Sequence, residues 1–156
     1  MKNKKTVIFD LDGTLALIDK RSNLSMVSGK RDWNIFFDPK NIHLDIPNKV
    51  VIKMAQILYK EGYEIAIFSG RSIATKDATI EWLRKWDVSF DILKMRPISK
   101  KLRFMKDSDL KQSWLDELFP DSEKDNILVV FDDRKQVVDM WRRNGLQVFQ
   151  VADGDF

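Results

Sequence analysis

A short apolar run, Val7-Ile8-Phe9, that breaks on Asp10-Leu11-Asp12-Gly13-Thr14-Leu15 constrains this chain more than any other stretch. β-Branched and aromatic residues following Lys4-Lys5-Thr6 predict a buried strand, with two carboxylates at its carboxyl end. Side chains alternate along a strand, so Asp10 and Asp12 share a direction only as far as strand geometry lasts. Gly13 lets the backbone leave sharply and sets both acids at the lip of the sheet. Ligands of open α/β sheets bind outside the carboxyl ends of the strands, so chemistry is expected there.

The rest of the chain alternates strand and helix. Residues 16–46 hold no sustained period and are expected to form a small, loop-rich, cap-like insertion with a short helix around Trp33 to Phe37. Helical spacing follows from Pro47 to Glu61, with Pro47 in the first turn and Gly62 at the stop. A strand from Tyr63 to Phe68 is broken by Ser69-Gly70-Arg71, and a helix runs from Ile73 to Lys85. A short strand from Phe90 to Met95 precedes an irregular basic segment, Ile98 to Lys106, and a helix from Asp107 to Phe119. The strand from Asn126 to Phe131 delivers Asp132-Asp133; a helix from about Arg134 to Asn144 and a last strand, Leu146 to Val151, complete the chain. This order predicts an α/β fold, a Rossmann-like three-layer α/β/α sandwich around a parallel sheet.

With 156 residues, 44% hydrophobic and 33% charged, the chain is expected to be one domain, residues 1–156. Its net charge of +3 permits a polyanionic substrate without requiring one. The sequence contains no cysteine, which excludes disulfides, thiolate catalysis and cysteine-based zinc sites. The basic start leads into an apolar run interrupted by Asp10 and Asp12, unlike a secretory signal, and no apolar stretch approaches the roughly 18 residues of a membrane span. A cytoplasmic protein without membrane association is expected.

Asp10 and Asp12 on one strand end and Asp132 and Asp133 on another make four carboxylates that repel one another unless a cation sits among them. A hard, all-oxygen site suits Mg²⁺. Ser69-Gly70-Arg71, where a strand is expected to turn into a helix, offers a hydroxyl, backbone N–H groups and a helix N-terminus to an anion. Gly29-Lys30 lacks the upstream glycine and the strand of a P-loop, so phosphate removal is favoured over transfer from a nucleotide.

Three motifs resemble those of the haloacid dehalogenase superfamily: Asp10-Leu11-Asp12-Gly13-Thr14-Leu15, Ser69-Gly70-Arg71, and Asp132-Asp133. The stretch from Phe131 to Gly145, with the ending Gln150-Val151-Ala152-Asp153-Gly154-Asp155-Phe156, is similar to the 3′-phosphatase domain of bacteriophage polynucleotide kinase/phosphatase. The resemblance implies that Asp10 is a nucleophile forming an aspartyl-phosphate and that Asp12 is the general acid, then the base. It implies Mg²⁺ on the Asp10 side chain, the Asp12 main-chain oxygen, Asp132 and Asp133, and phosphate on Ser69, Gly70 and Arg71. Arg21, eleven residues past Asp10, matches the spacing of a substrate-binding arginine. Lys111, four residues after Asp107 on one helix face, is the choice for the lysine that neutralises nucleophile and phosphate, with Lys94, Lys100, Lys101 and Lys106 as substitutes.

Plainer readings stand beside these. Asp133 alone reads equally well as a helix cap, Asp107 with Lys111 as a surface ion pair, and Arg21 as a solvated loop arginine. His43 has no partner imidazole. Trp82, Trp86, Trp114 and Trp141 are expected to pack the core or a subunit interface, which leaves a homodimer open. Trp33, Phe36 and Phe37 either pack the insertion or stack on a nucleobase. The basic residues Lys100, Lys101, Arg103 and Lys106 either follow a nucleic acid backbone or are solvated.

An insertion of about thirty residues is too small to enclose a metabolite, so an open site is expected, accepting a DNA or RNA 3′-phosphate or 2′,3′-cyclic phosphate in end repair. A kinase or ligase would then be a separate partner. A nucleotidase or general small-molecule phosphatase and a non-catalytic module binding nucleic acid ends are the alternatives.

Overall fold

A computed structural model describes residues 4–155. The elements are β1 (Thr6–Phe9), β2 (Ala16–Leu17), α1 (Asp19–Leu24), β3 (Met26–Val27), β4 (Lys30–Arg31), α2 (Trp33–Phe36), β5 (Ile46–Pro47) and α3 (Lys49–Lys60). They continue with β6 (Glu64–Ser72), α4 (Lys76–Lys85), β7 (Ile92–Arg96), α5 (Asp107–Leu118), β8 (Ile127–Arg134), α6 (Lys135–Arg143) and β9 (Val148–Gly154). Five strands form one sheet in the order β7-β6-β1-β8-β9, with every neighbouring pair parallel.

Alternation along the strands builds two cores. Val7 and Phe9 of β1 and Ile65 and Ile67 of β6 face α3 and α4 with Val51, Ile52, Trp82 and Leu83. Ile8, Ala66 and Phe68 face the opposite side, against Leu110, Trp114 and Leu115 of α5 and Val138 and Trp141 of α6. The three layers expected from the sequence are present. Because β1 lies between β6 and β8, the chain order reverses at the carboxyl end of β1, the position where open α/β sheets bind ligands.

Several expectations need correction. β6 continues through Ser69-Gly70-Arg71 to Ser72 with a register shift, and α4 starts only at Lys76. The phosphate-grip triplet is therefore an irregular strand end, and the helix expected from Ile73 opens there as a 3₁₀ turn, Ile73–Thr75, with Ser72 Oγ accepting the Ala74 N–H. The last strand runs three residues further, to Gly154, because its end pairs with Arg134 beyond the aspartates. The insertion contains α1, a β3-β4 hairpin, α2 and a 3₁₀ turn over Pro39–Leu44, more than one short helix. Its segments are each too short to show a period. Trp82, Trp114 and Trp141 are buried, which removes them as a subunit interface.

Candidate active site

Asp10 follows β1 directly, and its N–H donates to Phe131 O at 2.9 Å, fastening the end of β1 to β8. One carboxylate oxygen each from Asp10, Asp132 and Asp133 lies within 4.8 Å of the others, and all three residues are buried. Lys111 Nζ donates to Asp10 Oδ1 at 2.7 Å and to Asp132 Oδ2 at 3.0 Å. Trp141 Nε1 also donates to Asp132 Oδ2, at 3.1 Å. The Thr14 hydroxyl sits 3.3 Å from both Asp10 Oδ2 and Asp133 Oδ1 and gives its single proton to one of them.

Burial raises the Asp10 pKa, with help from Asp132 and Asp133, against the lowering effect of Lys111. Burial acts to discharge Lys111, but Asp10 and Asp132 outweigh it and hold the proton. Three carboxylates against one ammonium leave the pocket two negative charges from neutrality, the deficit that one divalent cation fills. Donors that are all oxygen and already converge fit a hard cation.

Gly13 makes this crowding feasible. Its φ is +85°, and a Cβ there would run into the Asp133 carboxylate. A side chain at this turn and Asp133 in its observed place exclude one another.

The Asp12 carboxylate stands apart from that trio, so the expected quartet divides into three and one. Its Oδ1 accepts from Arg71 Nε at 2.7 Å, Arg71 Nη2 at 2.5 Å and Arg21 Nη2 at 3.0 Å. Burial disfavours the charged form of Asp12, but Arg71 and Arg21 together overcome it and hold the pKa below the ordinary value. Arg21, expected in a solvated loop or on phosphate, comes from α1 and is fully buried. Its Nε and Nη2 bind Asp45 at 2.8 and 3.0 Å, and its Nη1 binds Phe36 O at 3.0 Å. Arg71 Nη2 reaches Asp45 Oδ2 at 2.5 Å, and its Nη1 reaches Thr79 Oγ1 at 3.1 Å.

Ser69 is buried, and its Oγ accepts the Arg71 N–H at 3.2 Å. Asp107 opens α5 and packs over Gly70, where a Cβ would lie 2.6 Å from Asp107 Oδ1. Arg96 ties the pair together, donating from Nε to Gly70 O at 3.1 Å and from Nη2 to Asp107 Oδ1 at 2.5 Å. Arg134 Nη1 binds the other Asp107 oxygen at 2.9 Å. Lys111 follows one turn after Asp107, on the same face of α5. Of its substitutes, Lys94 pairs with Glu117 at the surface, and Lys100, Lys101 and Lys106 are exposed. His43 is exposed beside Lys40 O, away from the acids.

Asp10, Asp12, Arg71, Asp107, Lys111, Asp132 and Asp133 thus line one cleft, while Arg21 is buried against Asp12 and Asp45. Asp45, Arg96, Arg134, Thr14 and Trp141 make contacts at the site to which the sequence assigned none of them. Asp45 carried one signal, a carboxylate between the apolar Leu44 and Ile46. The residues around Asp10 and Asp12 form the floor of a cleft of about 1410 Å³, walled by the insertion and the segment after β7. Among the described residues no helix is long and apolar enough to cross a membrane.

The family model of the polynucleotide kinase PNKP phosphatase domain matches residues 4–156. A protein of Autographa californica nuclear polyhedrosis virus, named for a bifunctional polynucleotide kinase/RNA ligase, is 33% identical over 144 residues, 90% of this chain and 18% of the viral protein. A solved structure of a Pnkp1/Rnl/Hen1 complex includes a chain that is 31% identical with a TM-score of 0.77, covering 100% of this chain and 48% of that one. This chain therefore spans less than half of either relative. A solved structure from Clostridium difficile, named for a phosphatase, shares the fold at a TM-score of 0.67 and 16% identity, over 95% of this chain and 85% of its own.

Proposed function

Since the chain belongs to the polynucleotide kinase PNKP phosphatase domain family, we propose that it is a metal-dependent phosphomonoesterase acting on nucleic acid 3′ ends. Its substrate is a 3′-phosphate, or a 2′,3′-cyclic phosphate, on DNA or RNA. The observation that carries this reading is the buried Asp10 carboxylate, 2.7 Å from an ammonium and converging with Asp132 and Asp133.

On the 3′-monophosphate, in the first step an Asp10 oxygen attacks phosphorus while the bond from phosphorus to the sugar O3′ breaks and Asp12 gives O3′ a proton. In the second, water attacks the aspartyl-phosphate, Asp12 takes its proton, and inorganic phosphate leaves with Asp10 regenerated. Arg71 and Arg21 hold Asp12 ionised before substrate arrives. A phosphate dianion near Arg71 draws on the same positive charge and so lets Asp12 take up the proton that the first step needs. Ser69 and the Gly70 backbone complete the phosphate grip, and Asp107 fixes Gly70 and, through α5, Lys111.

Asp10, Asp132 and Asp133, with the Asp12 main-chain oxygen, would hold Mg²⁺. When bound, the cation would offset the negative charge of carboxylates and phosphate as they approach. Residues 1–156 are in this proposal one phosphatase domain, with 16–46 as its cap. A cytoplasmic location and separate kinase or ligase partners belong to the same proposal, the partners alone being supported by a relative named for a polynucleotide kinase/RNA ligase and another solved in a Pnkp1/Rnl/Hen1 complex.

The test compares kcat/KM in Mg²⁺ on a 3′-phosphorylated oligonucleotide, its 5′-phosphorylated isomer and a nucleoside 3′-monophosphate. Strong preference for the first is expected. Faster hydrolysis of the mononucleotide assigns the site to a nucleotidase, and no turnover of any phosphate ester would reduce the chain to a binding module.

A further inference from the structure

The cleft above Asp10 is larger than the roughly 300–1,000 Å³ that encloses a small ligand. Two walls border it. One is the insertion, carrying Arg31 and Trp33; the other is the segment after β7, carrying Lys100, Arg103 and Phe104. Trp33 is 58% exposed, although Phe36 and Phe37 pack against it, and Phe104 is 84% exposed. Trp33 is braced by stacking on Phe37, with centroids 5.8 Å apart and planes 18° apart. Trp33 and Arg103 also line one smaller depression of about 420 Å³, so the two walls face each other across the mouth.

Each exposed ring has a guanidinium beside it. Arg31 Cζ lies 5.7 Å from the Trp33 centroid, and Arg103 Cζ lies 5.4 Å from that of Phe104. Among the described residues neither Lys100 nor Arg103 is in an ion pair, so their charge is available to an anion. A hydrophobic partner surface would be matched by rings without cations. Rings that alternate with cations match the alternation of bases and phosphates in a single strand, where stacking binds any base and the basic groups follow the backbone.

We propose that Trp33 and Phe104 are base-stacking platforms on opposite rims of the cleft, gripping the last nucleotides of a single-stranded 3′ end whose terminal phosphate reaches Asp10. This rests on the phosphatase reading and adds a minimum length to its substrate. Arg103 and Lys100 accompany the backbone phosphates upstream of the terminal one.

The experiment measures KM for 3′-phosphorylated substrates of one, two, three and six nucleotides, in wild type and in Trp33→Ala and Phe104→Ala. In wild type KM is expected to fall about tenfold or more between one and three nucleotides, the size of one or two stacking contacts. Each alanine variant flattens that dependence, whereas Trp33→Phe and Phe104→Tyr preserve it. Arg103→Gln lowers the salt dependence of oligonucleotide binding by about one phosphate contact. Hydrolysis of every length with the same KM overturns the rim assignment and leaves the phosphatase intact. Failure to hydrolyse any 3′-phosphate while an aryl phosphate turns over overturns the phosphatase reading itself. Phe104 contributes nothing to the core, so its variants report on binding and not on folding.

Discussion

Asp45 Oδ2 lies 2.5 Å from Arg71 Nη2, the same nitrogen that reaches Asp12 Oδ1, so two carboxylates share one guanidinium. Arg21 repeats the arrangement from the other side, bound to both acids. Asp12 is positioned by a buried lattice whose far corner is Asp45, and Trp82 anchors that corner by donating to Asp45 O at 2.9 Å.

Replacing that corner should disturb both stability and turnover. Asp45→Asn leaves two buried guanidiniums with a single carboxylate, a change that costs about 3–5 kcal/mol. The displaced Asp12 is expected to lower kcat about a hundredfold. Urea unfolding and steady-state kinetics check the two effects, and a variant unaffected in kcat would show that Asp45 has no part in holding Asp12.

Asp10→Asn keeps the shape of the side chain and an acceptor for Lys111, so the fold should survive. Turnover should fall by at least about a thousandfold. Acid quenching of wild type during turnover should trap phosphate on the protein, and the variant should trap none. Substantial residual activity in the variant would refute the covalent route.

A divalent cation should stabilise the folded chain, since the unfolded chain has no convergent site. At a hundred times its dissociation constant, Mg²⁺ is expected to add about 2.7 kcal/mol. Thermal unfolding with Mg²⁺ and with a chelator measures the shift. Asp132→Asn should abolish most of it, with Asp132 taken from the trio of buried acids.

Gly13→Ala puts a Cβ into the Asp133 carboxylate at a backbone position of φ +85°. The left-handed conformation alone costs roughly 1–2 kcal/mol. Displacement of Asp133 should also weaken the Mg²⁺ shift, which separates this variant from a purely structural glycine loss.

The Asp12 ion pairs give a pH signature. Its folded pKa lies below the ordinary value of 3.8, so the stability it adds is fully present well above that value. That contribution disappears as pH falls through the depressed folded pKa. The difference in unfolding free energy between wild type and Asp12→Asn should therefore be constant near neutrality and shrink in acid. A difference that grew on acidification would contradict the pairing with Arg21 and Arg71.

The amino-acid sequence by itself determined the parallel sheet and the edge on which the acids stand. Runs such as Val7-Ile8-Phe9 and Val129-Val130-Phe131 bury both faces of a strand, and the aspartates that end them mark the carboxyl lip. These are local signals, read over a few residues. Tertiary packing alone decided that Asp12 leaves the acidic trio, that Lys111 and none of its substitutes reaches Asp10, and that Arg21 points inward to Asp45. Those contacts join residues 59, 101 and 24 positions apart. No periodicity along the chain encodes such a meeting. A buried charge settles wherever the folded interior supplies its opposite, and that partner is known only once helices and sheet have closed around it.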